Sequence, residues 1–255
     1  MLESLFGLKG RVALIAGAGG LGTGMAEGLA EAGADIVAAD LSLEHAENAA
    51  KKARALGSKA AALTFDIWDR ASIEKTVDDT LAKMGRLDIL VNSVGINRMG
   101  HAVDITPEDW HAVIDGFLSG VFYFCQFAAR KAMIPQKYGK IINVASQSGM
   151  VVTGNQGSSY GVAKAGVIHL SRALGTEWAQ EGINVNSISP GYMLTPLTEG
   201  FFKDPEHYNK VASGVPKGRI GVPRDLAGAA VFLASSASDY MVGHNLVIDG
   251  GYTII

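Results

Sequence analysis

The sequence predicts an α/β fold: a doubly wound sheet of parallel strands with helices on both faces. Two observations carry this. Short β-type runs alternate with helical stretches along the whole chain, the order expected of βαβ units. The strand runs are also nearly continuous in apolar residues rather than alternating, which suits parallel strands covered on both faces.

The elements follow in order. "RVALIAG" (11–17) is a strand and "GTGMAEGLAEAG" the helix after it. "ADIVAAD" (34–40) is a strand, "SLEHAENAAKKARALG" a helix, "KAAALTFD" (59–66) a strand and "RASIEKTVDDTLAKMG" a helix. "LDILVNSVG" (87–95) is the fourth strand. A long helical region follows "TPEDW", with Thr106 as N-cap and Pro107 at the first helical position. "GKIINVAS" (139–146), "INVNSISP" (183–190) and "HNLVIDGG" (244–251) complete the strands, and a helix carrying Tyr160 and Lys164 lies between the first two of these. No repeat, low-complexity tract or linker interrupts the pattern, so residues 1–255 are expected to form a single dinucleotide-binding and catalytic domain.

Composition narrows the function. At 48% hydrophobic and 18% charged residues, the chain can bury a large core. A net charge of −3 offers no basic surface for nucleic acid. The apolar runs are short and broken by Asp, Asn and Gly, so no membrane partner is expected. "MLESLFGLKGR" lacks the pattern of a signal peptide. One cysteine, Cys125, excludes an intramolecular disulfide framework, reads as a buried structural thiol and fits a reducing, cytoplasmic location. The 32 glycines point to tight turns or close backbone approach to a ligand. No metal site is expected.

"AGAGGLG" (16–22) follows the first strand and opens a helix. Gly17, Gly19 and Gly22 make G-x-G-x-x-G, a dinucleotide fingerprint in this context, with Gly20 and Leu21 inside the loop. Asp40, 18 residues after Gly22, ends the second strand where an acidic residue can accept from ribose hydroxyls. Its neighbour Leu41 brings no positive charge to balance a 2′-phosphate, so NAD is expected over NADP. Other strand ends could complete the site. Asp66 and Ile67 could meet the adenine edge, "NSVG" with Asn92 and Gly95 the ribose, and "PGYMLT" with Pro190, Gly191, Met193 and Thr195 the nicotinamide amide.

Tyr160 and Lys164 stand four apart in "SSYGVAKAG", so they share one face of a helix. With the Gly loop, Asp40, Asp66, "NSVG", Ser146, "PGYMLT" and "DGGY", they give an ordered set that resembles the short-chain dehydrogenase/reductase family over essentially the whole chain. The resemblance implies a Rossmann-like fold with about seven parallel strands, a homotetramer, and Lys164 holding the nicotinamide ribose. Two departures stand out. Ala16 occupies the usual Thr position, in a loop one residue shorter. Phe117, seven after Trp110, occupies the place of an Asn that usually completes a catalytic tetrad.

Chemically, an ammonium near a phenol favours the phenolate. Lys164 is therefore expected to lower Tyr160 towards neutrality, making it the general acid/base, while Ser146 positions the substrate oxygen. The small residues Gly161, Ala163 and Gly166 are expected to leave room for cofactor and substrate. Ser146, Gln147, Asn155, Gln156, Tyr192, Asn97 and His101 are the substrate-side candidates, hydrogen-bonding groups suited to a polyhydroxylated molecule. The expected reaction is hydride transfer between NAD(H) and a secondary alcohol or ketone of a sugar, polyol or sugar acid. Polyol and gluconate-type members of the family are the ones the chain looks most like. Two alternatives stay open. One is a 3-oxoacyl thioester reductase, against which Asp40 argues because such enzymes generally use NADPH. The other is a non-catalytic dinucleotide-binding regulator, which the missing Asn favours and the intact Ser146, Tyr160 and Lys164 oppose.

Overall fold

The computed structural model of the chain describes residues 2–95, 98, 100–153 and 157–255. Seven strands, β1 (Val12–Ala16), β2 (Asp35–Asp40), β3 (Ala60–Thr64), β4 (Ile89–Asn92), β5 (Gly139–Val144), β6 (Ile183–Pro190) and β7 (Asn245–Ile248), form one sheet. Its order is β3-β2-β1-β4-β5-β6-β7, with every pairing parallel. The order reverses between β1 and β4, which opens a crevice at the carboxyl ends of those strands.

Period-two alternation explains the apolar runs. Ala13 and Ile15 of β1, with Ile36, Val91, Ile142 and Ile188, join one core together with Met25 and Leu29. Val12, Leu14 and Ala16, with Val37, Leu90, Ile141 and Val185, join another core together with Phe124, Phe127 and Trp178. The first core lies under the helices Leu21–Glu31 and Ala227–Ala234, the second under Arg70–Met84, Pro107–Gln136 and Ser158–Trp178. The edge strands β3 and β7 are only half-buried, since each lacks a neighbour on one side.

Side-chain caps fix several helix starts, one of them the Thr106 cap that the sequence predicts. Thr106 Oγ1 accepts from the Asp109 N–H at 3.1 Å, ahead of Pro107. Asp69 and Asp204 cap Arg70–Met84 and Pro205–Ser213 in the same way. The helix Leu21–Glu31 packs at backbone distance on the C-terminal part of the chain. A Cβ on Gly24 would lie 2.4 Å from the Pro223 carbonyl, and one on Gly28 would lie 2.7 Å from Ala227 Cβ.

The stretch Pro107–Gln136 differs from a plain helix. It carries π-helical turns at Asp115–Ser119 and Ala129–Met133, which displace the side chains that follow relative to an α-helix. Its length and composition would also suffice to cross a bilayer. The sequence shows no apolar run of that length because Asp, Gly and Lys interrupt it, and the helix continues through them. Its apolarity is accounted for by packing: Val121, Phe124, Phe127 and Met133 are buried in the second core.

Candidate active site

The crevice is floored by the first turn after β1. Gly17 (φ +84°) and Gly20 (φ +50°) take a left-handed backbone that favours glycine. A Cβ at Gly17 would stand 2.5 Å from the Ser93 carbonyl oxygen, so the ends of β1 and β4 meet only through a glycine. Gly22 is held equally tightly, 2.0 Å from the Gly17 carbonyl oxygen for an added Cβ. Across the crevice the nearest atom to such a Cβ on Gly20 is Thr195 Cβ, at 3.6 Å. The loop after β6 thus faces the loop after β1.

Asp40 closes this end. One carboxylate oxygen accepts from the Gly19 N–H at 2.9 Å, the other from the Ser42 N–H at 3.1 Å. His45 Nδ1 lies 3.5 Å from the same carboxylate. Leu41 is exposed beside it. Leu21 packs on the first core.

At the other end, β5 delivers the second group. Ser146 caps a short turn, Gln147–Gly149, and its Oγ accepts from the Ser148 N–H at 3.1 Å. Gly149 lets that turn touch the Tyr160 helix: an added Cβ would fall 2.7–2.9 Å from the backbone of Lys164 and Ala165. This contact sets the turn that carries Ser146 against the helix that carries Tyr160. Lys164, 3% exposed, donates from Nζ to the Val144 carbonyl at 2.7 Å. Its ammonium sits 4.4 Å from the centroid of the Phe117 ring and 5.8 Å from that of Tyr160. The Phe117 and Tyr160 rings meet edge to face, with centroids 5.2 Å apart. Phe117 itself lies in the first π-helical turn, buried with Val113 and Ala163.

The electrostatics correct one expectation. Burial raises the Tyr160 phenol above its ordinary value, and the Ser146 hydroxyl works in the opposite direction. Burial also pulls Lys164 down to about 7. Within the protein's own groups, Lys164 does not lower the phenol. Its ammonium points to the Val144 carbonyl and the Phe117 face rather than to the Tyr160 oxygen, and desolvation dominates. The reading of the small residues also changes. Gly161 makes room for the Ser148 carbonyl oxygen, 3.0 Å from an added Cβ, and Gly166 for Leu118 Cδ2 at 2.9 Å. Ala163 belongs to the Phe117 cluster. The space serves helix packing rather than a ligand.

Other predicted residues fall in varied places. Asn92 is buried, and its Nδ2 donates to Asn143 Oδ1 at 2.8 Å, within a group that includes Cys125 Sγ and Ser171. Its Nδ2 thus ties β4 to β5, while its Oδ1 has no hydrogen-bond partner among the described residues. Cys125 is fully buried and its thiol is pushed up to about 12 by desolvation, as fits a structural thiol. Asp66 turns back to accept from the Trp68 N–H at 2.9 Å, and the Ile67 side chain packs on Gly120. Gly95 is exposed. Pro190 ends β6, and Gly191 passes Asp249 Cα with 2.7 Å for an added Cβ. Met193 is buried and bridges to Gly221, while Thr195 bonds with Thr198.

On the substrate side, the Tyr192 hydroxyl donates to the Thr153 carbonyl at 3.4 Å and its ring meets Tyr252 edge-on. Gln147 is buried, and its Oε1 has no hydrogen-bond partner among the described residues. His101 is exposed, its carbonyl accepting from Asp104 and Ile105. Asn97, Asn155 and Gln156 lie outside the described residues. Sequence reasoning missed the Val144 carbonyl, which leaves no residue-type signal, and His45, five residues beyond Asp40 on the next helix.

Residues 15–253 match a family model of short-chain dehydrogenases/reductases described as enoyl-(acyl carrier protein) reductase. The chain belongs to the short-chain dehydrogenase/reductase family. This family is one of oxidoreductases that use a nicotinamide dinucleotide. Among its members, the 2-dehydro-3-deoxy-D-gluconate 5-dehydrogenase of Dickeya dadantii (strain 3937) is 40% identical, covering 99% of each chain. The D-threitol dehydrogenase of Mycolicibacterium smegmatis is 41% identical over 98% of this chain and 95% of its own. A solved short-chain dehydrogenase/reductase structure, a gluconate 5-dehydrogenase from Burkholderia cenocepacia J2315 in complex with NADP and tartrate, superimposes with a TM-score of 0.93 at 38% identity, over 100% of both chains. The expected doubly wound fold and the resemblance to sugar-type members of the family are thereby borne out.

Proposed function

We propose that the chain is an NAD-dependent dehydrogenase that moves a hydride between NAD(H) and a secondary alcohol or ketone of a sugar, polyol or sugar acid. The observation that carries this is the convergence of Ser146, Tyr160 and Lys164 at the end of β5, in the same crevice as the Gly loop and Asp40. The residues fit such a cofactor. Left-handed glycines open the floor, a carboxylate stands at one end and a buried amine at the other. Gly17, Gly19, Gly20 and Gly22 would hold the pyrophosphate, Asp40 the adenosine ribose, Lys164 the nicotinamide ribose, and Pro190, Gly191, Met193 and Thr195 the amide.

When bound, the nicotinamide supplies the hydride acceptor or donor. Tyr160 exchanges a proton with the substrate oxygen at its hydroxyl. Ser146, on the turn that packs against the Tyr160 helix, fixes the substrate oxygen beside that hydroxyl. Burial holds Tyr160 as a neutral phenol, ready to donate to a carbonyl, so alcohol oxidation needs the phenol to shed its proton. Lys164, whose charge changes near neutrality, is the group placed to favour that loss once its ammonium is turned towards the ring oxygen. Gln147, with an unpartnered buried acceptor next to Ser146, is the substrate-side residue that the site favours. The whole chain acts as one catalytic unit, a homotetramer in the cytoplasm.

The names of the relatives support a sugar, polyol or sugar-acid substrate. The test is a screen of polyols, aldonates and hydroxysteroids with NAD and NADP at mildly alkaline pH, with an acyl thioester assayed in the reductive direction. Turnover of an aldonate or polyol, with higher kcat/KM for NAD, is the expected result. Reduction of the thioester alone would replace this reading.

A further inference from the structure

Asp40 does not stand alone at its end of the crevice. Its carboxylate, His45 Nδ1 and the Gly19 backbone meet within one small volume. The imidazole lies 3.5 Å from the carboxylate, and a Cβ built on Gly19 would stand 3.1 Å from His45 Nδ1 and 3.3 Å from Asp40 Oδ2. The Gly loop carries no charged side chain, and Leu41 is apolar. Among the described residues no lysine or arginine pairs with Asp40. On its own helix His45 adjoins Glu44, and Glu47 is engaged with Arg54. From the elements packed against it, the charged group that faces His45 is Asp40.

We propose that His45 is a specificity-determining residue, a proton-dependent counter-charge that admits a 2′-phosphorylated dinucleotide at the Asp40 site when the imidazole is protonated and excludes it when the imidazole is neutral. The inference rests on the reading of Asp40 as the ribose acceptor. With neutral His45, a 2′-phosphate would meet the Asp40 carboxylate with no cation between them. With imidazolium at 3.5 Å the pair carries no net charge and adds an N–H donor at the mouth of the loop. Histidine is the side chain whose charge changes between about pH 5 and pH 8. Selection between NADP and NAD therefore follows pH, although the site keeps its acidic residue. The pair is solvent-screened, His45 being 55% exposed, so the effect is modest.

The test is direct cofactor binding. Dissociation constants of NADH and NADPH are read from nicotinamide fluorescence at about pH 6 and about pH 8.5, for the natural protein, His45→Gln, His45→Lys and Asp40→Ala. The ratio of the NADPH constant to the NADH constant should fall on acidification about threefold further in the natural protein than in His45→Gln. The comparison removes the titration of the 2′-phosphate itself, which persists in both. His45→Lys should hold the ratio low at both pH values. Equal pH dependence in the natural protein and His45→Gln overturns the role of His45. If at the same time Asp40→Ala lowers the ratio, the reading of Asp40 stands without it. If Asp40→Ala leaves the ratio unmoved at the higher pH, both readings fall.

Discussion

The Phe117 ring lies across the Lys164 ammonium, with 4.4 Å from Nζ to the ring centroid, and meets Tyr160 edge-on at 5.2 Å. One apolar side chain thus touches both titratable members of the candidate triad, at the position where the family usually places an amide. An aromatic face favours a cation by about 1 kcal/mol or somewhat more when desolvated. It supplies no hydrogen bond for a water. Phe117→Asn should therefore trade one way of holding Lys164 for another, and kcat should change by less than about tenfold, or about 1.4 kcal/mol in barrier. Steady-state kinetics of the variant check this. A gain of several hundredfold would mark the natural chain as a weakened enzyme and favour a regulatory role.

Tyr160→Phe should abolish turnover and leave dinucleotide binding within about threefold. The change removes only the hydroxyl, and the ring keeps its contact with Phe117. Cofactor fluorescence titration together with turnover measures both. An active Phe variant would move the proton-transfer role to another residue.

Lys164→Met should stabilise the protein against urea by about 1–3 kcal/mol at pH 6 while ending activity. Burial pulls the amine from 10.5 to about 7 in the folded chain. Between those values the unfolded chain binds one proton more than the folded one, so natural stability rises with pH across that window. Below about 7 both states are charged and the full burial cost is present. The Met variant lacks this dependence, so its advantage should shrink from pH 6 to pH 9. An advantage that grows with pH would show that Lys164 is not desolvated as described.

Gly149→Ala should lower stability by about 2–3 kcal/mol and reduce kcat more than it changes cofactor affinity. The added Cβ meets backbone atoms of Lys164 and Ala165, which cannot swing away as a side chain end could. The turn bearing Ser146 must then move off the Tyr160 helix. A stable variant with natural kinetics would show that this contact does not seat Ser146.

Much of this architecture is legible in the sequence, for local reasons. Most strand assignments hold to within a few residues because continuous apolar runs mark parallel strands buried on both faces; β6, in which polar residues separate Ile183, Val185 and Ile188, also matches residue for residue. Thr106 and Pro107 announce their helix because capping is a matter of adjacent residues. The spacing of Tyr160 and Lys164 fixes a shared helix face, but the helix alone does not say where the ammonium points. That is decided by the Val144 carbonyl and the Phe117 ring, which arrive from β5 and from a π-helical turn. Asn92 is equally ambiguous, since an amide at a strand end can face a ligand or a neighbouring strand. Asn143, 51 residues away, takes its Nδ2, and its Oδ1 has no partner among the described residues. His45 carries no signal of its own until the fold sets it against Asp40.

The contacts of Gly24 with Pro223 and of Gly28 with Ala227 also govern how the protein is made. A chain leaves the ribosome from its N-terminus, so the helix behind the Gly loop is synthesised early. The surface that seats it arrives nearly two hundred residues later. At about 5–20 residues per second, that interval lasts on the order of 10–40 s. Through that time Met25 and Leu29, fully buried in the finished protein, have no permanent cover from the Ala227–Ala234 helix. The Gly-loop end of the crevice is thus translated before the rest of the crevice and is among the last parts of it to be completed. Premature termination between the end of the Leu21–Glu31 helix and Pro223 yields a chain that keeps the entire Gly-loop sequence yet cannot build its seat, and that exposes an adhesive apolar face for chaperones or proteases to recognise.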